Sequence, residues 1–156
     1  MTIYEILEKL NIIYQEIEEQ AVYTVEQAKK IQKRIEGIGC KNLFLTNKKG
    51  KYYLVILEKN KKANIKEIKK LINQSHLSLA SNSELNQILN LEQGSVTPFG
   101  IIYDNENKVE LILDKDLKNK KLFFHPNINT KTISIQFQDL IKFIEYEKHN
   151  YIYKMI

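Results

Sequence analysis

The segment Gly94-Ser-Val-Thr-Pro-Phe-Gly100 restricts the fold of this 156-residue chain more than any other. It holds two of the five glycines and one of the two prolines in the whole sequence. Proline fixes its φ angle, and glycine permits backbone conformations that other residues resist. A plain turn between a helix and a strand needs only one glycine, and this segment has one at each end. We therefore predict a rigid loop whose backbone N–H groups are open to a ligand.

Helical and strand-like patterns are interspersed along the chain without a strict βαβ repeat. Apolar periodicity, capping pairs and turn residues predict helices over residues 2–10, 24–35, 64–73, 81–90 and 137–146. They predict strands over residues 12–17, 41–46, 51–58, 77–80, 101–103, 109–113, 122–125 and 132–136, with hairpins joining 41–46 to 51–58 and 101–103 to 109–113. We expect an α+β fold: a single domain over residues 1–156, in which helices surround a mixed, curled, barrel-like sheet. Residues 148–156 are a candidate tail.

Composition excludes several classes of protein. The net charge of +5 is compatible with a polyanionic partner but does not establish one, and the only arginine is Arg34. The single cysteine, Cys40, excludes an internal disulfide and a cysteine-rich zinc site, and the three histidines lack metal-ligand spacing. There is no P-loop, no dinucleotide fingerprint, no signal peptide and no long apolar run. We expect no metal, no cofactor, no membrane contact and a cytoplasmic location.

Three side chains could carry chemistry, and each has a plainer alternative. Lys41 would share a strand face with Leu43, and its ammonium could anchor a phosphate or a developing negative charge, or simply reach solvent. His125 precedes Pro126 and is therefore biased to an extended conformation; its imidazole could contact a ligand amine or carbonyl, or cap the loop. Cys40 could be a nucleophile, although a lone cysteine before an apolar strand is more often a small buried residue.

Five segments, in this order, resemble the YbaK/ProX family of aminoacyl-tRNA deacylases, and most closely its free-standing prolyl-tRNA-editing type. They are Ala21-Val-Tyr-Thr-Val-Glu-Gln-Ala28, Cys40-Lys-Asn-Leu-Phe-Leu45, Leu77-Ser-Leu-Ala-Ser81, Gly94-Ser-Val-Thr-Pro-Phe-Gly100 and Phe124-His-Pro-Asn-Ile-Asn-Thr130. The family includes the editing domain inserted in many bacterial prolyl-tRNA synthetases, so the resemblance implies that fold. The chain departs from the family pattern at Glu18-Glu-Gln20 and at Asn127, and neither departure touches Lys41 or Gly94.

The resemblance implies hydrolysis in trans of a mischarged aminoacyl-tRNA ester. A synthetase that binds proline cannot strongly reject smaller amino acids, so alanyl-tRNA(Pro) is the first substrate to expect, with cysteine second. The implied partners are tRNA and prolyl-tRNA synthetase. Lys41 and Gly94 fall on the catalytic positions: Lys41 would hold the terminal phosphate or assist electrostatically, and amides near Gly94 would stabilise the oxyanion. The implied substrate-binding residues are Thr24, Asn42, Ser95, Val96, Thr97, Pro98, Phe99, Gly100, His125 and Asn129.

No side chain stands out as a general base, and the family is thought to let the ribose hydroxyl of the substrate help to position the attacking water. Two other functions stay open. A non-catalytic module could bind aminoacyl-tRNA or a synthetase as a regulator, although the intact Lys41 and glycine loop favour the enzyme. A cysteine-dependent enzyme would use Cys40. Candidates for a basic tRNA-binding surface are Lys29, Lys30, Lys33 and Arg34 in one stretch, and Lys59, Lys61 and Lys62 in another.

Overall fold

The protein has a mixed β-sheet with helices on both faces. The computed structural model describes residues 1–18, 26 and 35–156. Within these residues the strands are β1 (Gln15–Glu18), β2 (Ile38–Thr46), β3 (Tyr52–Glu58), β4 (Ser78–Leu79), β5 (Val109–Asp114), β6 (Lys121–Phe124), β7 (Lys131–Gln136) and β8 (Tyr151–Lys154). The described helices are α1 (Ile3–Lys9), α2 (Ile65–Leu71), α3 (Asn82–Leu89) and α4 (Phe137–Tyr146), with 3₁₀ helices at Pro98–Tyr103 and Lys115–Leu117. The helix predicted over residues 24–35 lies almost entirely outside the described residues.

The strands follow the order β1-β7-β6-β2-β3-β5-β8, and β4 pairs separately with β2. The β2·β6, β3·β5 and β5·β8 pairs are parallel, and the other pairs are antiparallel. The expected mixed, curled sheet is therefore confirmed. Among the described strands β1 and β8 are the two edges, so these strands do not close into a barrel. No helix among the described residues is both long enough and apolar enough to cross a membrane.

The central strand β3 is buried on both faces because apolar side chains occupy both sets of alternate positions. Leu54 and Ile56 pack into the larger core cluster, which also receives side chains from α1, α3 and α4. Tyr53, Val55 and Leu57 pack on the opposite face in a second cluster, together with Ile68 of α2. Each fully buried leucine or isoleucine contributes about 1.5–3 kcal/mol of burial free energy.

Local polar contacts start the helices at the positions that the capping pairs predict. The Asn64 side chain accepts hydrogen bonds from the backbone N–H groups at the start of α2. Ser81 and Glu84 form a reciprocal capping box at the start of α3, and Asn90 ends that helix in the left-handed conformation. The hairpin of β2 and β3 is also confirmed, with Thr46 opposite Tyr52 across the turn.

The predicted hairpin between residues 101–103 and 109–113 is wrong. Residues 101–103 end the 3₁₀ helix Pro98–Tyr103, and β5 pairs in parallel with β3 and β8. Pro98 suits the first turn of a helix, and the Thr97 hydroxyl accepts a hydrogen bond from the Phe99 N–H. A short apolar run cannot by itself distinguish a strand from a buried helical turn, which explains the error.

The candidate tail over residues 148–156 is an ordered edge of the sheet. Tyr151–Lys154 form β8, and its register places Ile152 opposite Ile112 of β5. The Leu111 N–H donates to the Asn150 carbonyl just before the strand begins. Pairing with a strand about 40 residues earlier in the chain leaves no local signal in the sequence of the tail.

Candidate functional site

A pocket of about 470 Å³ lies where the sheet splits along one edge of β2. At one end of this edge β2 pairs with β6, opposite Leu122 and Phe123, and at the other end it pairs with β4. The pocket lies between the two neighbouring strands, and its volume is typical of small-molecule sites. Its lining residues are Cys40, Asn42, Leu43, Phe44, Leu79, Ala80, Asn82, Leu85, Gln93, Gly94, Val96 and His125.

Asn42 gives this pocket an unused hydrogen-bond acceptor. Its Oδ1 atom is buried and accepts no hydrogen bond within the described residues. Leaving a buried acceptor unpaired costs about 1–3 kcal/mol of folding free energy. Such a cost is typical of a binding site, because a ligand can supply the missing donor. A positively charged amine is a strong donor for this oxygen.

His125 presents a defined ring nitrogen to the pocket. Its Nδ1 atom lies 2.8 Å from the carbonyl oxygen of Lys131. Because a carbonyl can only accept, we assign the proton to Nδ1, which leaves Nε2 of the neutral ring as an acceptor. His125 lines the pocket, and Nε2 makes no hydrogen bond within the described residues, so it is the ring nitrogen left for a hydroxyl, a water or an amine.

The glycine loop contributes main-chain groups to the pocket through its first residues. Gly94 has a φ angle of +95°, in the region that favours glycine, and a Cβ atom there would meet nothing within 4 Å. The Ser95 N–H already donates to the Glu92 carbonyl at 3.0 Å. The amides of Gly94 and Val96 donate to no acceptor in the part of the chain that the structure describes. These two amides are the loop's candidate oxyanion donors.

The second half of the loop supports the core and does not line the pocket. Phe99 packs edge-on against Phe124 and Phe143, with ring centroids 6.0 and 5.3 Å away. Of the expected substrate-binding residues, the structure buries Thr97, Pro98, Phe99 and Gly100, and it places neither Ser95 nor Asn129 in the pocket wall. Residues 97–100 form the start of the 3₁₀ helix in the core, and they anchor the end of the loop that carries Gly94 and Val96.

The ammonium group of Lys41 lies on the opposite face of β2 from Asn42. Lys41 shares its face with Leu43 and Leu45, which pack in or against the second core cluster. Leu43 also lines the pocket from this face, but Lys41 does not. Its Nζ atom donates to the carbonyl oxygen of Lys61 at 2.7 Å. The structure therefore brings together Asn42, Gly94, Val96 and His125, and it does not bring the Lys41 ammonium into the pocket.

Cys40 lines the pocket, but its thiol is poorly suited to nucleophilic attack. Burial, with a smaller contribution from the nearby Glu58 carboxylate, raises the pKa of Cys40 to about 12. The thiol is therefore protonated near pH 7, and the thiolate is the nucleophilic form. The arrangement disfavours the cysteine-dependent enzyme.

Two features of the site had little signal in the sequence. Leu79, 62 % exposed, lines the pocket from the two-residue strand β4. Asn127 has a φ angle of +64°, and its Nδ2 donates to the Phe99 carbonyl at 3.3 Å, which joins the loop after β6 to the glycine loop.

Thr24 and the basic candidates Lys29, Lys30, Lys33 and Arg34 lie outside the described residues. In the other basic stretch, Lys61 is 2.8 Å from both Asp114 and Asp116.

We expect Gly100→Ala to destabilise the protein by about 1–3 kcal/mol through overpacking. A Cβ atom at Gly100 would lie 2.7 Å from Leu91 Cδ1 and 3.3 Å from the Leu89 carbonyl oxygen, which cannot move independently of its helix. Urea unfolding measures the loss. Gly39→Ala is the matched control, because its Cβ would meet only the flexible Lys59 side chain. A Gly100→Ala protein as stable as the wild type would show that the packing argument is wrong.

Comparisons with known proteins agree on one family. Residues 19–143 match the family model described as an aminoacyl-tRNA editing domain. The chain is 38 % identical over 143 residues to the prolyl-tRNA editing protein ProX of Acetoanaerobium sticklandii, covering 89 % of this chain and 86 % of that protein. It is 32 % identical to the prolyl-tRNA synthetase associated domain-containing protein 1 of Danio rerio, covering 93 % of this chain and 80 % of that protein.

A solved structure supports the fold alone. It belongs to a protein proposed to be a trans-editing enzyme for prolyl-tRNA synthetase, and it matches with a TM-score of 0.71 over 94 % of this chain and 89 % of that one. The sequence identity is 16 %, so the likeness concerns the arrangement of helices and strands and not the chemistry of the pocket.

Proposed function

The chain belongs to the aminoacyl-tRNA editing domain family, and from this membership we propose that it hydrolyses alanyl-tRNA(Pro) in trans in the pocket beside β2. Its activity is that of an aminoacyl-tRNA deacylase, a carboxylic ester hydrolase. The choice of alanine rests on the size of the amino acid. A synthetase site for proline binds a smaller amino acid only about 1–3 kcal/mol more weakly per missing methylene. A second site that hydrolyses the smaller product corrects the error.

The observation that carries the proposal is the set of unused polar groups in one cavity. The unpaired Asn42 Oδ1 suits the α-ammonium group of an aminoacyl ester. The amides of Gly94 and Val96 suit an oxygen that becomes negative during hydrolysis. His125 Nε2 suits a hydroxyl group or a water molecule. An aminoacyl group attached to a ribose offers a partner to each of these groups.

In the proposed reaction a water molecule attacks the ester carbonyl carbon, and the carbonyl electrons move onto its oxygen, where main-chain amides stabilise the charge. Collapse of this intermediate breaks the bond to the ribose oxygen, which takes up the proton given up by the attacking water and leaves as the tRNA hydroxyl. The free amino acid is the other product. The neighbouring ribose hydroxyl positions the water, and His125 Nε2 accepts a hydrogen bond from that hydroxyl. An aminoacyl ester is already activated, so no further base is required.

For Lys41 we propose a contact with the tRNA backbone and no contact with the ester. Its ammonium group lies on the opposite face of β2 from Asn42, so it must leave the Lys61 carbonyl to reach a phosphate near the pocket. Lysine acts on phosphates as a mobile point charge, which suits this role. Loss of one charged hydrogen bond costs about 1.5–3 kcal/mol, or tenfold or more in rate.

Deacylation of alanyl-tRNA(Pro) by the wild type and by Lys41→Ala tests the function. We expect rapid release of alanine by the wild type and a rate about tenfold lower in the variant. Lys142→Ala is the control, because its exposed side chain pairs only with Asp139 on α4 and does not line the pocket, so its loss should leave the rate unchanged. An unchanged rate in Lys41→Ala would mean that the lysine only holds the Lys61 segment. A wild type that leaves alanyl, cysteinyl and seryl esters intact would favour the non-catalytic binding module.

A further inference from the structure

Both neighbours of β2 leave its edge at the pocket, and this interrupts the hydrogen-bond ladder of the sheet. β6 pairs with β2 as far as Phe123 opposite Gly39, and then ends before His125 and Pro126. Proline has no N–H to continue a ladder, and the His125 ring is held by the Lys131 carbonyl. On the other side, β4 gives way to the capping box that starts α3.

The direction of the free main-chain groups follows from the neighbouring bonds. The Gly39 carbonyl accepts from the Lys59 N–H on the β3 side. The Phe44 carbonyl accepts from the Ala80 N–H on the opposite side. Because these directions alternate along a strand, the even-numbered residues of β2 aim their N–H and C=O groups at the split. The groups left there are the Cys40 carbonyl, the Asn42 N–H and carbonyl, and the Phe44 N–H, for which no further main-chain partner occurs within the described residues. The first two are spaced as one residue of a parallel neighbour would use them.

We propose that the aminoacyl group of the substrate fills this interruption as one additional rung of the parallel ladder. Its α-ammonium group donates to the Cys40 carbonyl, and its ester carbonyl accepts from the Asn42 N–H. The two bonds are those that His125 would make if β6 continued by one more residue in register. The same ammonium group has a further proton for Asn42 Oδ1. This inference rests on the proposed function and deepens it.

The proposal defines the substrate class. The site reads the main-chain atoms that every α-amino acid ester shares, so it requires a free α-amino group, whereas the side chain is selected elsewhere in the pocket. The Asn42 N–H also becomes an oxyanion donor, beside those of Gly94 and Val96. A strand edge suits this task, because its groups are already held by the β2·β3 ladder and do not reorganise during the reaction.

Amide hydrogen exchange, followed by NMR, tests the rung with 3′-alanylamino-3′-deoxyadenosine, an amide analogue that the enzyme cannot hydrolyse as an ester. In the free protein the Asn42 amide should exchange much faster than the Leu43 amide, which faces β3. At saturating analogue we expect Asn42 exchange to slow at least about tenfold while Leu43 exchange is unchanged. The N-acetylated analogue should bind at least about tenfold more weakly, because it lacks the ammonium group.

The outcomes separate this inference from the function on which it rests. If the analogue shifts the Gly94 and His125 resonances but leaves Asn42 exchange unchanged, the substrate does not pair with the edge of β2. The proposed function would then still hold. Equal binding of the acetylated and free analogues would also overturn the rung. An analogue that shifts no pocket resonance would overturn the rung and count against the proposed function as well.

Discussion

Replacing Asn42 by leucine is expected to remove about 99 % of the deacylation rate while leaving the fold at least as stable as the wild type. The side-chain oxygen of Asn42 is buried and has no hydrogen-bond partner among the described residues, so its removal should relieve a cost of about 1–3 kcal/mol in the free protein. The same oxygen is our proposed acceptor for the substrate ammonium, and losing a charged hydrogen bond of up to 3 kcal/mol slows the reaction about a hundredfold. Activity and stability should therefore change in opposite directions.

Two measurements on each variant check this result: kcat/KM for alanyl-tRNA(Pro), and the urea midpoint of unfolding. Asn42→Asp is the matched control, because it keeps an acceptor oxygen of the same reach and should retain much more activity than Asn42→Leu. A leucine variant with normal kcat/KM would show that the Asn42 side chain does not bind the substrate. A leucine variant that is inactive because it is unfolded would show that the asparagine is a structural residue instead.

The second large effect concerns a buried pair of side chains remote from the pocket. Asp104 and His149 are 6 % and 7 % exposed, and His149 Nε2 lies 2.9 Å from Asp104 Oδ2. The other ring nitrogen, Nδ1, lies 3.0 Å from the Glu147 carbonyl oxygen. Both partners can only accept, so each ring nitrogen faces an acceptor oxygen. The pair joins the turn before β5 to the segment that leads into β8.

Asp104→Ala is expected to lower the free energy of unfolding by about 3–5 kcal/mol. The change leaves the His149 ring buried without its carboxylate, and it also removes the acceptor for the N–H groups of Lys108 and Val109. Thermal unfolding should show a fall in Tm of about 10 °C or more. Glu106→Ala is the control from the same loop: its ion pair with Lys108 is exposed, so its loss should cost under about 1 kcal/mol. Equal effects of the two changes would contradict the buried-pair argument.

The same pair predicts the direction of the pH dependence. Burial opposes the charged form of Asp104, but hydrogen bonds from His149, Lys108 and Val109 outweigh it and hold the pKa of the carboxyl below its usual value. A lowered pKa in the folded state means that the stabilisation is present above about pH 4 and is lost as the pH falls below it. Asp104→Ala should therefore show a weaker loss of stability in acid than the wild type does.

Local chemistry in the sequence was sufficient for the helix starts and for one hairpin. The pairs Asn64 with Glu67 and Ser81 with Glu84 predicted where α2 and α3 begin, because a cap acts on backbone groups two or three residues away. The turn at residues 47–50 predicted the β2·β3 hairpin for the same reason. The family resemblance singled out the segments around Asn42, Gly94 and His125, which all reach the pocket.

The sequence by itself thus determined the elements that short-range contacts specify, together with the family. Only the tertiary structure decided the parallel pairing of β5, the edge strand β8, and which side chains of β2 reach the pocket. Strand alternation places neighbouring residues on opposite faces, but the pocket at the edge of β2 is lined from both, by Asn42 and by Leu43, so packing decides which side chains reach it. The split beside β2 likewise depends on β4 and β6 leaving it at two points, and those strands are separated by about 40 residues of chain. Contacts at that separation form through the hydrophobic core, and no local run of residues encodes them.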